Sequence, residues 1–251
     1  MSSLPKDLGE TYSRTIHIFE SNDQLPDAIK ALRWLCFSNR PLRLSELVDV
    51  LAIENGEDGC FCPDERLPDP EDIVVICSSL ISCNSSRGGV ADEDDEGDDN
   101  EDEDGGVAAT KLGYNVGVRL AQFSVKEYLL SERCSIRTHF DISTCHQAIA
   151  EGCLHYLHYI NDQAQPTRVM VGEYLLASHV AGHWWQHARS IDNTSDKVTT
   201  LFACHLLMNQ MKCLTWVRHY NVDNPHKIVI DLSLNLPEFA TPLMPSDLSL
   251  S

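Results

Sequence analysis

The stretch Ala31-Leu-Arg-Trp-Leu-Cys-Phe-Ser-Asn-Arg-Pro-Leu-Arg-Leu-Ser-Glu-Leu47 predicts a helix, a short strand and a second helix in immediate succession. The first helix starts near Asp23 to Pro26 and ends before Pro41, because proline cannot continue it. Leu42-Arg-Leu44 predicts a minimal strand, and Ser45 is a suitable N-cap for a helix over residues 46–53. Helix, short strand and helix form the opening of a winged-helix fold.

The third predicted helix, Asp69 to Leu80, carries negative charge at its start. Asp69 is the expected N-cap, and Glu71 and Asp72 complement the positive end of the helix dipole. In a DNA-binding winged helix this element enters the major groove, but here it contains no Lys or Arg. Its approach to phosphates would be repulsive, so nucleic-acid binding is kept only as an alternative function.

Two short stretches predict the strands of the wing, Leu80 to Cys83 and Val116 to Phe123. Ser124-Val-Lys-Glu127 then matches a capping box, in which the serine hydroxyl and the glutamate carboxylate satisfy each other's backbone donors. The helix that follows closes the domain. The predicted core side chains of this domain are Trp34, Leu35, Leu47, Ile73, Ile76, Leu120, Phe123 and Tyr128.

An acidic insertion separates the two wing strands, over residues 84–115. Residues 92–104 supply 11 of the 38 acidic groups in the 251-residue chain and so dominate its formal net charge of -19. The other 27 acids exceed the 19 Lys and Arg by 8, which is an ordinary acidic surface that opposes binding to a polyanion. The insertion is too poor in apolar residues to offset chain entropy, so we expect disorder, with an acidic docking segment as the alternative.

The downstream sequence predicts helices only. A helix capped by Ser143 is followed by a second over 171–190 and a third from 195 to about 219. Short polar connections between them favour an antiparallel helical bundle or the first turns of an α-solenoid. The expected fold class is therefore mainly α, in four parts: a helix within 1–20, a winged-helix domain over 21–133, a helical linker domain over 134–223 and an irregular tail over 224–251.

Three histidines are the strongest candidates for metal chemistry. His179, His183 and His187 stand at i, i+4 and i+8 and share one helix face, but no His-Glu-x-x-His motif accompanies them. Packing against a neighbouring helix is the preferred interpretation, and a zinc-dependent enzyme is the alternative. Cys60-Phe-Cys62 has one intervening residue, whereas zinc knuckles have two to four, so it is a weak zinc signal.

Other catalytic and binding signatures are missing from the sequence. Neither a phosphate-binding glycine loop nor a Gly-x-Ser-x-Gly elbow occurs, so we predict no catalytic residue, cofactor or metal site. The adjacent Trp184 and Trp185 are most simply packing residues and are also the candidate anchors for a partner surface. Without a signal peptide or an apolar stretch of spanning length, we expect a soluble cytoplasmic chain with no membrane partner.

Several segments together resemble the region that follows the NACHT NTPase domain in large fungal NLR-like proteins. They are Leu4-Pro-Lys-Asp-Leu-Gly-Glu-Thr-Tyr12, the stretch Leu32 to Leu47, Leu67-Pro-Asp-Pro-Glu-Asp72, Ile76-Cys-Ser-Ser-Leu80 and Val118-Arg-Leu-Ala-Gln-Phe-Ser-Val-Lys-Glu-Tyr-Leu-Leu130. In that family a winged helix, similar to one in GPI inositol-deacylase-like proteins, precedes a helical linker and ankyrin repeats. Ile149-Ala-Glu-Gly-Cys-Leu-His-Tyr-Leu157 and Trp184-Trp-Gln-His-Ala-Arg189 resemble that linker.

The resemblance implies a non-enzymatic module that couples an NTPase module to a repeat-based sensor in self/non-self recognition or defence signalling. Its implied partners are the NTPase module and ankyrin repeats, in cis or in trans. The family's nucleotide-binding residues cannot be carried over, since the chain starts where that domain would end. Ala240-Thr-Pro-Leu243 resembles the start of an ankyrin repeat, so we expect an internal fragment or a shortened gene product.

Overall fold

The computed structural model describes residues 6–84, 116–163, 173–191, 197–209 and 212. They form a mainly helical protein with a small three-stranded antiparallel sheet. The chain divides into a first unit, Met1–Val48 with Leu67–Tyr128, and a second unit, Asp49–Arg66 with Leu129–Ser251. The sequence had placed residues 49–66 inside the winged-helix domain, whereas this division groups them with the helices downstream.

The first unit contains the sheet and most of the short helices. Its elements are α1 Lys6–Ser21, α2 Leu25–Phe37, β1 Leu42–Arg43, α3 Leu44–Leu51, α4 Glu71–Cys77, β2 Ile81–Asn84, β3 Gly117–Leu120 and α5 Phe123–Leu129. The last residues of α3 and α5 already belong to the second unit. The sheet order is β1-β3-β2, with Leu42 opposite Val118 and Ile81 opposite Leu120. Apart from Asn84, the insertion predicted to be disordered lies outside the described residues.

The turn from β1 into α3 depends on Glu46 rather than on Ser45. α3 begins at Leu44, so the prediction of Ser45 as N-cap was wrong. The Glu46 carboxylate accepts the Arg43 backbone N–H at 2.8 Å, which is the acidic half of a capping box. It also accepts two hydrogen bonds from Arg40, and its side chain is only 4% exposed. This shielded ion pair holds the segment between α2 and α3 in one conformation.

α5 also begins two residues earlier than its sequence predicts. Its first residue, Phe123, is 76% exposed, so the assignment of Phe123 to the core was wrong. The buried face of α5 carries Val125, Tyr128 and Leu129, and helical geometry directs a residue two positions before Val125 to the opposite side. Ser124 therefore lies inside the helix and is not the N-cap that the predicted capping box requires; its hydroxyl lies 2.9 Å from the Tyr12 hydroxyl.

The other predicted core residues of the first unit are buried or half-buried. Leu35 and Leu120 are half-buried, while the buried ones are Trp34, Leu47, Ile73, Ile76 and Tyr128. α1 adds three buried side chains that the sequence reading had left out of this core, Tyr12, Ile16 and Phe19. The Tyr12 and Tyr128 rings are 5.5 Å apart between centroids, so α1 packs against α5 within this unit.

The second unit is built around one long helix. Within the described residues its longer helices are α6 Ile142–Asp162, α7 Ala177–Arg189 and α8 Lys197–Met208, and α6 packs against both of the others. α6 is capped by Asp141, which accepts the Thr144 backbone N–H at 3.0 Å, so the prediction of Ser143 as the cap was wrong. This hydrogen bond lowers the pKa of the Asp141 carboxyl. The predicted tail, residues 224–251, lies outside the described residues.

Over the part of the chain that the structure describes, no helix combines the length and apolar character needed to cross a lipid bilayer.

Candidate functional site

The outer face of α4 combines negative charge with an exposed apolar side chain. Asp69 caps this helix as predicted, accepting the Glu71 backbone N–H at 2.9 Å. Ile73, Ile76 and Cys77 form its buried face, which leaves Glu71, Asp72 and Val75 exposed. Val75 is 71% exposed. A surface of this kind repels phosphates and suits a protein partner with basic and apolar groups.

Two further apolar side chains of the first unit are exposed. Phe123, at the start of α5, is 76% exposed, and Ile18 on α1 is 50% exposed. Large aromatic side chains contribute strongly to protein interfaces because they bury much apolar area with little loss of conformational entropy. Phe123 is therefore the candidate interaction residue that sequence reasoning missed, since the apolar pattern around it suggested a core position.

A cleft of about 190 Å³ lies beside β1 and β3 in the first unit. Leu35 and Val118 supply apolar wall, and Ser38, Arg40 and Arg119 supply polar groups. Arg40 is already paired with Glu46, while Arg119 is exposed. The cleft thus lies where α2, β1 and β3 meet, and it gives Leu35, a half-buried predicted core residue, a partly open environment.

The most strongly buried charge of the second unit is Asp49, near the end of α3. Its carboxylate, 1% exposed, pairs with Arg66 Nε at 2.6 Å and accepts the Tyr156 hydroxyl and, at 3.2 Å, the Leu176 backbone N–H. Arg66 also donates to the Glu173 carbonyl at 2.7 Å and lies over the Phe61 ring. One carboxylate thereby holds together three segments that are distant in sequence.

Burial is the largest influence on ionisation in this network. Burial raises the pKa of Asp49, and the hydrogen bond from Tyr156 and the charge of Arg66 oppose that rise. Burial also raises the pKa of Tyr156 well above its usual value. The only sequence signal for this site is an acid inside the apolar run Leu47-Val-Asp-Val-Leu51. A buried ion pair of this kind fixes geometry, which is a structural role.

The three histidines of α7 are mostly buried. His179 and His187 are each 1% exposed and His183 is half-buried, with the His179 and His183 rings 4.7 Å apart. His187 Nδ1 lies 2.9 Å from Nδ1 of His146 on α6, so α7 does pack with its histidine face towards a neighbouring helix. Among the described residues, no group of three or more His, Cys, Asp or Glu is arranged to hold a metal ion.

We expect the His187 pair to make the protein less stable in acid. Burial, followed by the charges of His146 and His183, lowers the pKa of His187 from 6.5 to about 3. The unfolded chain therefore binds a proton that the folded chain excludes, and the free energy of unfolding decreases as the pH falls below 6.5 towards 3. Urea titrations at pH 7 and pH 4.5 should show a loss about 2 kcal/mol larger for the wild type than for His187→Gln. Equal losses of the free energy of unfolding between pH 7 and pH 4.5 for the wild type and His187→Gln would contradict this account.

The two adjacent tryptophans occupy different environments. Trp184 is 1% exposed, which agrees with the preferred packing interpretation and rules out the alternative in which it anchors a partner surface. It lies on the same face of α7 as Val180 and His187, which are buried as well. Trp185 is half-buried, with the Arg189 guanidinium 6.0 Å from its ring centroid. Of the two candidates, only Trp185 has surface left to offer a partner.

The sequence is similar to a curated protein of Monascus ruber named azaphilone pigments biosynthesis cluster protein L. The two are 29% identical over 229 residues, which cover 89% of this chain and 43% of the relative. This chain therefore spans less than half the length of that relative. No family model matches the chain. No solved structure matches it either.

Proposed function

We propose that this chain is a non-enzymatic interaction module, consisting of a winged-helix domain and an antiparallel helical linker domain. In this proposal it couples a NACHT-type NTPase module to ankyrin repeats within fungal NLR-like signalling, with both partners supplied in cis or in trans. The single observation that carries the proposal is the outer face of α4, where Glu71, Asp72 and Val75 are exposed and no cation is present.

The order of elements supports the winged-helix part of the proposal. Helix α2, strand β1, helices α3 and α4 and strands β2 and β3 follow one another, and the sheet order is β1-β3-β2. The first strand therefore pairs with the last, and β2 and β3 pair antiparallel, as the two strands of a wing would. α4 takes the position of the third helix, which would face DNA in a nucleic-acid-binding relative of this fold.

The charges of α4 favour a protein partner over nucleic acid. A recognition helix on DNA supplies cations to phosphates and hydrogen-bond donors to base edges. Glu71 and Asp72 supply the opposite charge, whereas Val75 and Phe123 supply apolar area suited to a protein interface.

Hydrogen bonds and ion pairs join distant segments within each unit, which suits a part that transmits motion as a rigid body. In the first unit Arg40 and Glu46 fix the approach to α3, and Lys126 donates to the Cys36 carbonyl. In the second unit the Asp49 carboxylate gathers three chain segments. Rearrangement of an NTPase module would then reach the repeats through movement of intact units.

The similarity to the Monascus ruber protein favours a second setting for the same module. The name of that relative associates it with azaphilone pigment biosynthesis, and most of this chain aligns with part of it. An interaction module of this kind would then serve pigment biosynthesis by scaffolding or regulating other proteins of the cluster.

Binding measurements with separately produced partners test the proposal. A NACHT NTPase domain and an ankyrin-repeat array from a fungal NLR-like protein are titrated with this chain by calorimetry. We expect at least one of them to bind, and Val75→Asp and Phe123→Ser to weaken binding about ten-fold each while the variants stay folded, because both side chains are exposed. Met208→Ser, at another exposed apolar side chain, is the matched control and should leave NTPase binding unchanged.

Three outcomes would count against the proposal. The first is no binding to either module at micromolar concentrations. The second is DNA affinity that falls steeply with salt in a gel-shift assay, which would favour the nucleic-acid alternative. The third is stoichiometric zinc after purification together with activity lost in His179→Ala, which would favour the zinc-enzyme alternative.

A further inference from the structure

Two thiols meet at the surface of the second unit. Cys60 Sγ and Cys62 Sγ are 2.9 Å apart, Cys60 is exposed and Cys62 is half-buried. Both are therefore within reach of a dissolved reagent and of each other. Spacing alone had made this pair a weak zinc signal, because a single residue separates the cysteines.

The backbone around the pair is held in an extended conformation. Phe61 forms a β-bridge with Ile53, the Glu54 N–H donates to the Cys60 carbonyl at 2.8 Å, and the Cys62 N–H donates to the Ala52 carbonyl at 2.9 Å. In an extended segment neighbouring side chains point to opposite sides, so residues on either side of Phe61 share one face. The two thiols are thus aligned before any reaction takes place.

Phe61 anchors this arrangement from the inside. Its side chain is 1% exposed, and its ring lies 4.3 Å from the Tyr156 ring and 5.2 Å from the Tyr159 ring, measured between centroids. Gly59 allows the preceding turn to approach α6, because a Cβ there would lie 2.4 Å from the Glu54 carbonyl and 2.6 Å from His155 Nε2. The segment that carries the two thiols is therefore fixed by the packing of Phe61 and by the close approach of Gly59 to α6.

The pair differs from the buried cysteines of the chain. Burial raises the pKa of Cys77 to about 12, and Cys145 and Cys153 are fully buried. Those thiols are shielded from reagents in water. The hydrogen bond with Cys60 raises the pKa of Cys62 to about 11, so Cys62 retains its proton while Cys60 is the more accessible thiol. This asymmetry suits an attacking and a resolving cysteine.

We propose that Cys60 and Cys62 form a reversible dithiol–disulfide pair, with a small-molecule disulfide such as glutathione disulfide as the oxidant. The Cys60 thiolate attacks one sulfur of glutathione disulfide, and the S–S bond breaks and releases one glutathione thiolate, which takes up the proton that Cys60 lost. Cys62 then loses its proton and attacks Cys60 Sγ, which releases the second glutathione thiol. Two protein thiols are oxidised by two electrons, and one glutathione disulfide is reduced to two glutathione molecules.

Closure of this disulfide would act on the interior through Phe61. The ring that closes runs through the Phe61 backbone, so the bond restrains the residue whose side chain packs on α6. The redox state of the surface pair would thereby adjust the packing of segment 49–66 against α6 within the second unit. This inference is independent of the proposed function, since it concerns thiol chemistry only.

Mass spectrometry on the full chain tests the proposal. The folded protein is incubated in glutathione buffers of stepped oxidised-to-reduced ratio, the free thiols are blocked, and trypsin is added. Cleavage after Arg43 and Arg66 yields a peptide over residues 44–66 in which Cys60 and Cys62 are the only cysteines. As the ratio rises, we expect the form of this peptide that carries two blocking groups to be replaced reversibly by an unblocked form two hydrogen atoms lighter than the free dithiol.

Variants distinguish the pair from unrelated oxidation. Cys62→Ser should stop at a glutathione adduct on Cys60, because the resolving thiol is missing. Cys83→Ser, which removes an exposed cysteine outside the pair, should leave the disulfide unchanged. The proposal would be overturned if the wild-type peptide kept both thiols, carried glutathione on both cysteines, or linked to a third cysteine.

Discussion

Replacement of Asp49 by Ala is expected to lower the free energy of unfolding by about 3–5 kcal/mol, which is the cost of breaking a buried ion pair from one side. The substitution removes the acceptor for Arg66, for the Tyr156 hydroxyl and for the Leu176 backbone N–H. Tyr156 is fully buried, so its hydroxyl has no water to replace the lost carboxylate. Urea denaturation followed by circular dichroism measures the loss.

A nearby acid provides the matched control for this prediction. Asp64 lies in the same chain segment but is exposed, so Asp64→Ala should change the free energy of unfolding by less than about 0.5 kcal/mol. Tyr156→Phe removes one of the three donors and should cost about 1–2 kcal/mol. If Asp49→Ala and Asp64→Ala lower stability equally, the Asp49 network does not hold the second unit together.

Replacement of Trp184 by Ala is expected to lower the free energy of unfolding by about 3–5 kcal/mol, because a large buried side chain leaves a cavity that the helices cannot fill. Trp184 is 1% exposed and is the largest fully buried side chain among the described residues. The same substitution at Trp185, which is half-buried, should cost about 1 kcal/mol or less. Thermal and urea denaturation of the two variants gives a direct comparison between neighbouring residues of one type.

The Trp185 variant also separates stability from binding. If Trp185 contributes to a partner surface, Trp185→Ala should weaken binding to the ankyrin-repeat array without a matching loss of stability. Equal destabilisation by the two substitutions would mean that both tryptophans belong to the core, and the remaining surface role of Trp185 would be withdrawn.

The sequence predicted the order of elements in the first unit well, and the positions of helix starts less well. α2 ends at Phe37, before Pro41, and Asp69 caps α4, as predicted from signals that act over a few residues. The sequence predicts Ser45 and Ser143 as caps from residue type, and Ser124 from a capping-box motif. In the structure α3 and α6 use Glu46 and Asp141 instead, since a carboxylate in reach is the stronger acceptor.

The candidate interaction residues were harder to assign. Phe123 and Trp184 both lie in apolar helical patterns, and periodicity alone does not say which face of a helix meets the core. Phe123, expected in the core, proved to be exposed, whereas Trp184 is buried, as its preferred packing interpretation required. Which face meets the core is decided by the segments that pack against the helix, and the periodicity of the helix itself does not contain that information.

What the sequence by itself determined is local: a mainly helical chain, the short strands near Leu42 and Val118, and a third helix with acids and no cation. Propensity, capping and charge act between near neighbours, so they can be inferred from the order of residues. Only the tertiary structure decided that Asp49 meets Tyr156, more than a hundred residues away, and that Cys60 and Cys62 face one another. Such contacts depend on how helices and loops pack in space. Bringing distant residues together costs chain entropy, and the burial of apolar surface from many segments offsets that cost, which no short stretch can do alone.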